Sequence, residues 1–125
     1  LHEKADTEMH SVCCKALLAV ENVVMINEEL HSVTKASHAS HGWRLVNFMG
    51  RASGLYVFGL SQRPASVDKA FMGALSEIHV GQLSYPEDQK ACAKVLGVDV
   101  AEVAGLFGYA AIQRNMRTGK ITRIK

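Results

Sequence analysis

Two short runs place chemically capable side chains directly behind apolar segments. Val23-Val24-Met25-Ile26 is followed by Asn27 and Glu28, and Leu55-Tyr56-Val57-Phe58-Gly59-Leu60 stops at Ser61-Gln62-Arg63-Pro64. A carboxylate, an amide and a guanidinium at such places are the groups that polarise a water, donate to an oxyanion and stabilise spread negative charge. In an open parallel sheet, ligands bind where strands end and helix N-termini converge. Asn27, Glu28, Gln62 and Arg63 all fall at that edge if both runs are strands of one sheet. Arg51 stands shortly before the second run.

The elements that must hold these residues follow from the apolar pattern. Met9, Val12, Cys13, Ala16, Leu17 and Val20 recur at spacings of three and four, predicting a helix that starts near Asp6 or Thr7 and turns this stripe to the core. The following run, residues 23–26, has no polar alternation, which suits a strand buried on both faces of a parallel sheet. Residues 32–42, rich in Ser, His, Thr and Ala, read as a loop or frayed helix. Leu45, Phe48, Met49 and Ala52 predict a second helix, closed by Gly54 as its C-cap. After the strand at 55–61, a short helix from about Val67 leads to a third apolar strand, roughly Glu77 to Leu83.

Pro86-Glu87-Asp88 opens the next helix with proline in its first turn and acids at its positive end, and Gly97 ends it. Asp99 with Glu102 predicts a cap for a further short helix. Residues 110–124 read as two strands turning at Thr118-Gly119. Alternation of helix and strand argues for one α/β domain over residues 1–125, with a mainly parallel sheet, flanking helices and a C-terminal β-hairpin.

Composition narrows the function classes. Of 125 residues, 48% are hydrophobic and 21% charged, as in a soluble globular protein, and no apolar run is long enough to cross a bilayer. A chain opening on Leu1, with Glu3, Asp6 and Glu8 close behind, lacks a signal-sequence pattern and reads as a processed or excised piece. Cys13, Cys14 and Cys92 make an odd count with two adjacent members, which fits a reducing, cytoplasmic setting better than a disulfide framework.

The net charge of +2 does not announce a nucleic-acid partner, although Arg114, Arg117, Lys120, Arg123 and Lys125 crowd the C-terminus without an acid among them. That run reads as a DNA-facing rim or as a solubilising hairpin face. His31, His38 and His41 lack the cysteine or carboxylate pattern of a four-ligand zinc site, so no metal site is assigned. Cys13 and Cys92 read as small core residues, and Trp43 and Tyr56 as core anchors.

The segments "VVMINEEL", "GRASGLYVFGLSQRPASVDK" and "HVGQLSYPEDQKACAKVLGV" resemble, over about residues 15–125, the second half of the ATPase core of HerA/FtsK-type P-loop motors, which include DNA translocases and viral genome-packaging ATPases. The segment VVMINEEL, residues 23–30, is similar to a Walker B strand. The resemblance implies a metal-side role for Asn27 and a water-polarising role for Glu28, because Mg²⁺ takes hard oxygen ligands while the attacking water needs a basic group. It implies a γ-phosphate sensor at Gln62, and in Arg51 or Arg63 an arginine that reaches a neighbouring subunit's nucleotide.

Two departures bear on activity. Asn27 stands where the family usually has aspartate, and these 125 residues contain no GxxxxGK[ST]; their Gly119-Lys120 lacks the upstream glycine and strand. Without that loop the phosphates have no cradle of amides. The expectation is a fragment or degenerate relative of a DNA-translocating ATPase that does not hydrolyse ATP alone and uses Mg-ATP only within a complete assembly. Its partners would be a protein or further copies of itself, with DNA met through the assembly and no membrane insertion. The rival expectation is a stand-alone, non-catalytic interaction module acting as a decoy or inhibitor. Arg63 reads equally as a carbonyl cap or a partner of Asp68, and Arg51 as a charge closing the preceding helix.

Overall fold

A computed structural model describes residues 2–125. The chain divides into two compact units, Leu1–Phe71 and Met72–Lys125.

In the first unit α1 (His2–Val20) precedes β1 (Val24–Asn27), and α2 (His41–Met49) precedes β2 (Tyr56–Gly59). The strands pair in parallel with Val24 beside Tyr56 and Asn27 beside Gly59. Both helices pack on one face of this pair, around a fully buried Trp43. Its ring lies 5.4 Å from that of His10 and 5.1 Å from that of Phe71. Two glycines permit the close approach. A Cβ at Gly42 would stand 2.1 Å from the Ser11 carbonyl oxygen, and one at Gly59 would meet Leu30 and Phe71 at 2.7 and 2.9 Å. The Gly42 N–H donates to Ser11 Oγ, and the Trp43 N–H to the capping Ser40 Oγ.

The second unit holds β3 (Glu77–Val80), α4 (Pro86–Leu96), α5 (Val100–Ala104), β4 (Ala111–Asn115) and β5 (Ile121–Ile124). Its core joins Ile78, Val80, Cys92, Leu96, Val103 and Ile112. Gly97 ends α4 at φ 72°, the left-handed conformation that glycine adopts without a Cβ penalty. The hairpin turns through residues 116–120, where Asn115 Oδ1 accepts from the N–H groups of Arg117 and Thr118. A short helix, α3 (Lys69–Gly73), lies between β2 and β3 in sequence.

Several expectations need correction. The mainly parallel sheet is not found: β1 and β2 are the parallel pair, while β3, β4 and β5 form a separate antiparallel sheet. An alternating order of helices and strands cannot tell a crossover to a neighbouring parallel strand from the start of a second layer. β1 is not buried on both faces either. Met25 and Asn27 are buried, whereas Val24 is 58% and Ile26 63% exposed. Tyr56 and Phe58, their register partners, and Leu60 are exposed too, so Tyr56 anchors no core.

α1 begins at His2, earlier than expected, and buries Cys14 while half-burying Thr7, His10, Ser11, Leu17 and Leu18. The expected stripe of Met9, Val12, Cys13, Ala16 and Val20 faces solvent. α2 likewise buries Gly42, Trp43 and Val46 rather than Phe48, which is 88% exposed, and it closes at Gly50 instead of Gly54. Asp99 makes no side-chain cap; Glu102 instead pairs with Arg123 across to β5.

That pair holds the Glu102 carboxyl below its ordinary range, through the guanidinium hydrogen bond first. A depressed carboxylate stabilises the folded state above its unfolded pKa, and this contribution disappears as pH falls through the folded value. Arg123→Gln is therefore expected to return the Glu102 titration, followed by NMR, upward to the ordinary carboxylate range and to flatten the acid-side loss of stability in urea melts.

Candidate functional site

Parallel pairing brings the two polar strand ends together. The Leu60 N–H donates to the Asn27 carbonyl at 2.8 Å, and the Leu30 N–H to the Leu60 carbonyl at 2.9 Å. His31 Nδ1 and Ser61 Oγ lie 2.8 Å apart, and the same Oγ accepts from the Arg63 N–H at 3.0 Å. The loops after β1 and β2 are thus bound to each other through backbone and side chain. Glu28 and Gln62 are both exposed on these adjoining loops, and Arg63 is half-buried behind Gln62.

Arg51 is not part of this cluster. Its segment is joined to the other end of the strands, where the Asn22 N–H donates to Ser53 O at 2.9 Å and the Gly54 N–H to Arg51 O at 3.1 Å. Four strand residues separate the two edges by about 13 Å. Arg51 is exposed there.

Asn27 has an environment unlike that of Glu28. Only 7% of it is exposed, and its Oδ1 accepts from His10 Nε2 at 2.9 Å while its Nδ2 donates to the Phe58 carbonyl at 3.4 Å. The amide therefore links α1 to both strands. An amide can do this because it carries a donor and an acceptor at once; an ionised carboxylate has only acceptors. A metal-side task at this position would require these inward bonds to be exchanged.

Backbone conformation shapes the first loop. Glu29 adopts φ 49° and ψ 46° where the chain turns into the short helix Leu30–Ser32. This left-handed region is uncommon for a residue with a Cβ. The buried Leu30 that follows fills the space beside Gly59, so the turn presenting Glu28 is anchored by packing directly after it.

Asp68, read from the sequence as a partner for Arg63, is buried. Its Oδ1 accepts from the Ala70 N–H and its Oδ2 from the Phe71 N–H and Asn47 Nδ2, while its own N–H donates to Thr34 Oγ1. The signal was present as an aspartate just before a short helix, the usual N-cap chemistry. Asp68 thus orients Phe71 under Trp43 rather than offering a carboxylate to a ligand.

The two buried thiols, Cys14 and Cys92, are not poised for attack. Cys14 Sγ lies within 4.0 Å of the His10 ring nitrogens, yet burial and the neighbouring Cys13 push its pKa to about 11. Burial and Asp88 push Cys92 up to about 12. A nucleophilic cysteine needs its thiolate, and both are held as thiols at neutral pH. Cys13, expected in the core, is exposed. Among the described residues, no group of three His, Cys, Asp or Glu side chains is arranged to hold a metal ion.

No family model and no curated protein matches the sequence. Solved structures do match the fold. The genome packaging NTPase B204 from Sulfolobus turreted icosahedral virus 2, in complex with ATP-gammaS, aligns with a TM-score of 0.72 at 16% identity, over 83% of this chain and 52% of that one. Its AMP complex aligns with a TM-score of 0.72 at 14% identity, over 99% and 61%. B204 from Sulfolobus Turreted Icosahedral Virus, the DNA-packaging ATPase, gives 0.69 at 15% identity, over 83% and 52%.

The chain shares the fold of part of these NTPases. It spans 52 to 61% of their length, and identities this low speak for architecture alone.

The inward role of Asn27 can be measured. Asn27→Asp is expected to cost about 1–3 kcal/mol of stability at pH 8, because an oxygen then faces the Phe58 carbonyl and the donor to it is lost. Urea unfolding of the variant and of Asn27→Ala checks this, with equal stability of wild type and Asn27→Asp as the contrary outcome.

Proposed function

We propose that this chain forms the second half of a HerA/FtsK-like ATPase core in a DNA-translocating or genome-packaging machine. Glu28 polarises the attacking water and Gln62 contacts the γ-phosphate or that water. The phosphate loop comes from residues outside these 125, and the chain alone does not hydrolyse ATP. The observation that carries this reading is the joining of the Glu28 and Gln62 loops at one end of a parallel strand pair, 2.9 Å apart at Leu30 N and Leu60 O. Support comes from the fold shared with NTPases bound to ATP-gammaS and AMP.

The remaining groups take supporting parts. Arg63, on the same loop as Gln62, is better placed than Arg51 to act near this edge, while Arg51 suits a contact with a neighbouring subunit. Glu28, with Asn27 once its bonds to His10 and Phe58 are exchanged, would hold Mg-ATP from the strand side, and Mg²⁺ bound there would neutralise charge developing on the phosphoryl oxygens. Asn27 supplies no formal charge, which places the main burden of the site on Glu28.

The alternative is a non-catalytic interaction module. A specific observation favours it: Val24, Ile26, Tyr56, Phe58 and Leu60 are each more than half exposed on one face of β1 and β2. A parallel sheet ordinarily has both faces covered, so this surface calls for a protein partner under either reading.

Calorimetric titration of Mg-ATP into the chain alone and into the assembly containing it separates the two. The expected result is no binding alone and hydrolysis in the assembly, with Glu28→Gln slowing hydrolysis roughly 10²- to 10⁴-fold while nucleotide still binds. Asn27→Asp is expected to strengthen Mg²⁺-dependent binding in the assembly only. Hydrolysis by the chain alone, or an assembly indifferent to Glu28→Gln, would overturn the proposal.

A further inference from the structure

An amphipathic helix ordinarily has one apolar side and one polar side. α1 instead has two apolar sides. One lies in the core through Cys14 and its neighbours. Opposite it, Ala5, Met9, Val12, Ala16 and Ala19 are all exposed, with Met9 at 65% and Val12 at 61%. Their spacings are four, three, four and three, the a and d positions of successive heptads. Val20, 67% exposed, widens the same seam. The helix is nineteen residues long and is already folded against its own unit, so pairing through this seam would not require it to form.

Charge selects the occupant. In this heptad frame Glu8 and Lys15 occupy the two g positions beside the seam, and Asp6 and Cys13 two e positions. In an antiparallel pair of helices, g faces g and e faces e across the seam. Placing Met9 opposite Val12 of a second copy sets Ala5 opposite Ala16 and brings Glu8 opposite Lys15, twice by symmetry. A parallel pair would face Glu8 with Cys13 and Lys15 with Val20, leaving both charges unmatched. Among the described residues no ion pair engages Glu8 or Lys15. The sequence of α1 therefore complements itself in one orientation and register.

We propose that α1 is a homodimerisation surface, occupied by the α1 helix of a second copy in an antiparallel, two-fold pair with Met9 against Val12 and Glu8 against Lys15. Such an interface is isologous, each patch meeting its own copy. It is small and its layers are mostly alanine and valine, so the dimer is weak and concentration-dependent. It lies apart from the Glu28 and Gln62 loops and does not depend on the nucleotide reading.

Sedimentation equilibrium of the full chain, with circular dichroism to verify folding, tests the surface through charge reversal. Glu8→Lys alone and Lys15→Glu alone each place like charges opposite each other twice, and each is expected to weaken dimerisation about tenfold in Kd. The combined Glu8→Lys and Lys15→Glu variant re-forms both pairs and is expected to return to the wild-type value. Val12→Glu is expected to abolish the dimer.

Register is tested separately. Asp6→Cys places a thiol opposite Cys13 of the second copy, and diamide, which accepts the two electrons and two protons released, is expected to give a covalent dimer that Cys13→Ser prevents. A wild-type chain that stays monomeric at millimolar concentration overturns the proposal. So does a dimer insensitive to Glu8→Lys and Val12→Glu, which would place the contact on another surface such as the bare sheet face.

Discussion

The first unit depends on how close two helices can come to a pair of four-residue strands. Such a pair has little core of its own, so its order comes from Trp43, held between His10 of α1 and Phe71 of α3. A side chain at Gly42 would push α2 away from Ser11 of α1, and one at Gly59 would displace Leu30 and Phe71. With the layers in place, His10 reaches Asn27, Asn27 reaches Phe58, and the loops behind both strands are brought into contact. The candidate site is thus a product of packing on the far side of the sheet. Its exposed members, Glu28 and Gln62, contribute little to that packing.

Much of the order of elements was legible in the sequence. Apolar runs ending in polar residues marked β1 and β2, Pro86 and Gly97 bounded α4, and Thr118-Gly119 marked the hairpin turn. These signals are local, because proline, glycine and strand length act on the backbone where they occur. That the loops carrying Glu28 and Gln62 adjoin was also within reach, since parallel pairing of two strands of like length leaves only a few registers. What could not be read was which side of an element is covered. α1 and α2 each carry more than one apolar stripe, and periodicity identifies a stripe without naming its neighbour. The stripe of Met9 and Val12 is real, yet the one that reaches the core centres on Cys14.

The sheet assignments failed for a related reason. Glu77–Val80 alternates polar and apolar residues and buries Ile78 and Val80 alone, and only long-range contacts decide between joining β2 and joining β4. Asn27 is the sharpest case at the site. Its position after an apolar strand suggested an outward, metal-side group, whereas alternation along β1 turns it inward with Met25. The basic C-terminal run divides similarly. Arg114 Nη1 donates to the Val95 carbonyl on α4 and Arg123 pairs with Glu102, so two of its cations are engaged within their own unit. No helix among the described residues is long and apolar enough to cross a membrane.

The cysteines give the molecule a built-in clock. Cys13 is exposed, while Cys14 and Cys92 are buried, one in each compact unit, with their thiols held protonated. A thiol reagent therefore meets Cys13 at once and the other two only when the surrounding structure opens. Labelling at Cys14 follows the release of α1 from its sheet, and labelling at Cys92 the opening of α4 from its own. Without a single introduced probe, the rates at which two native sulfur atoms become reachable compare the local stability of the two halves of the chain.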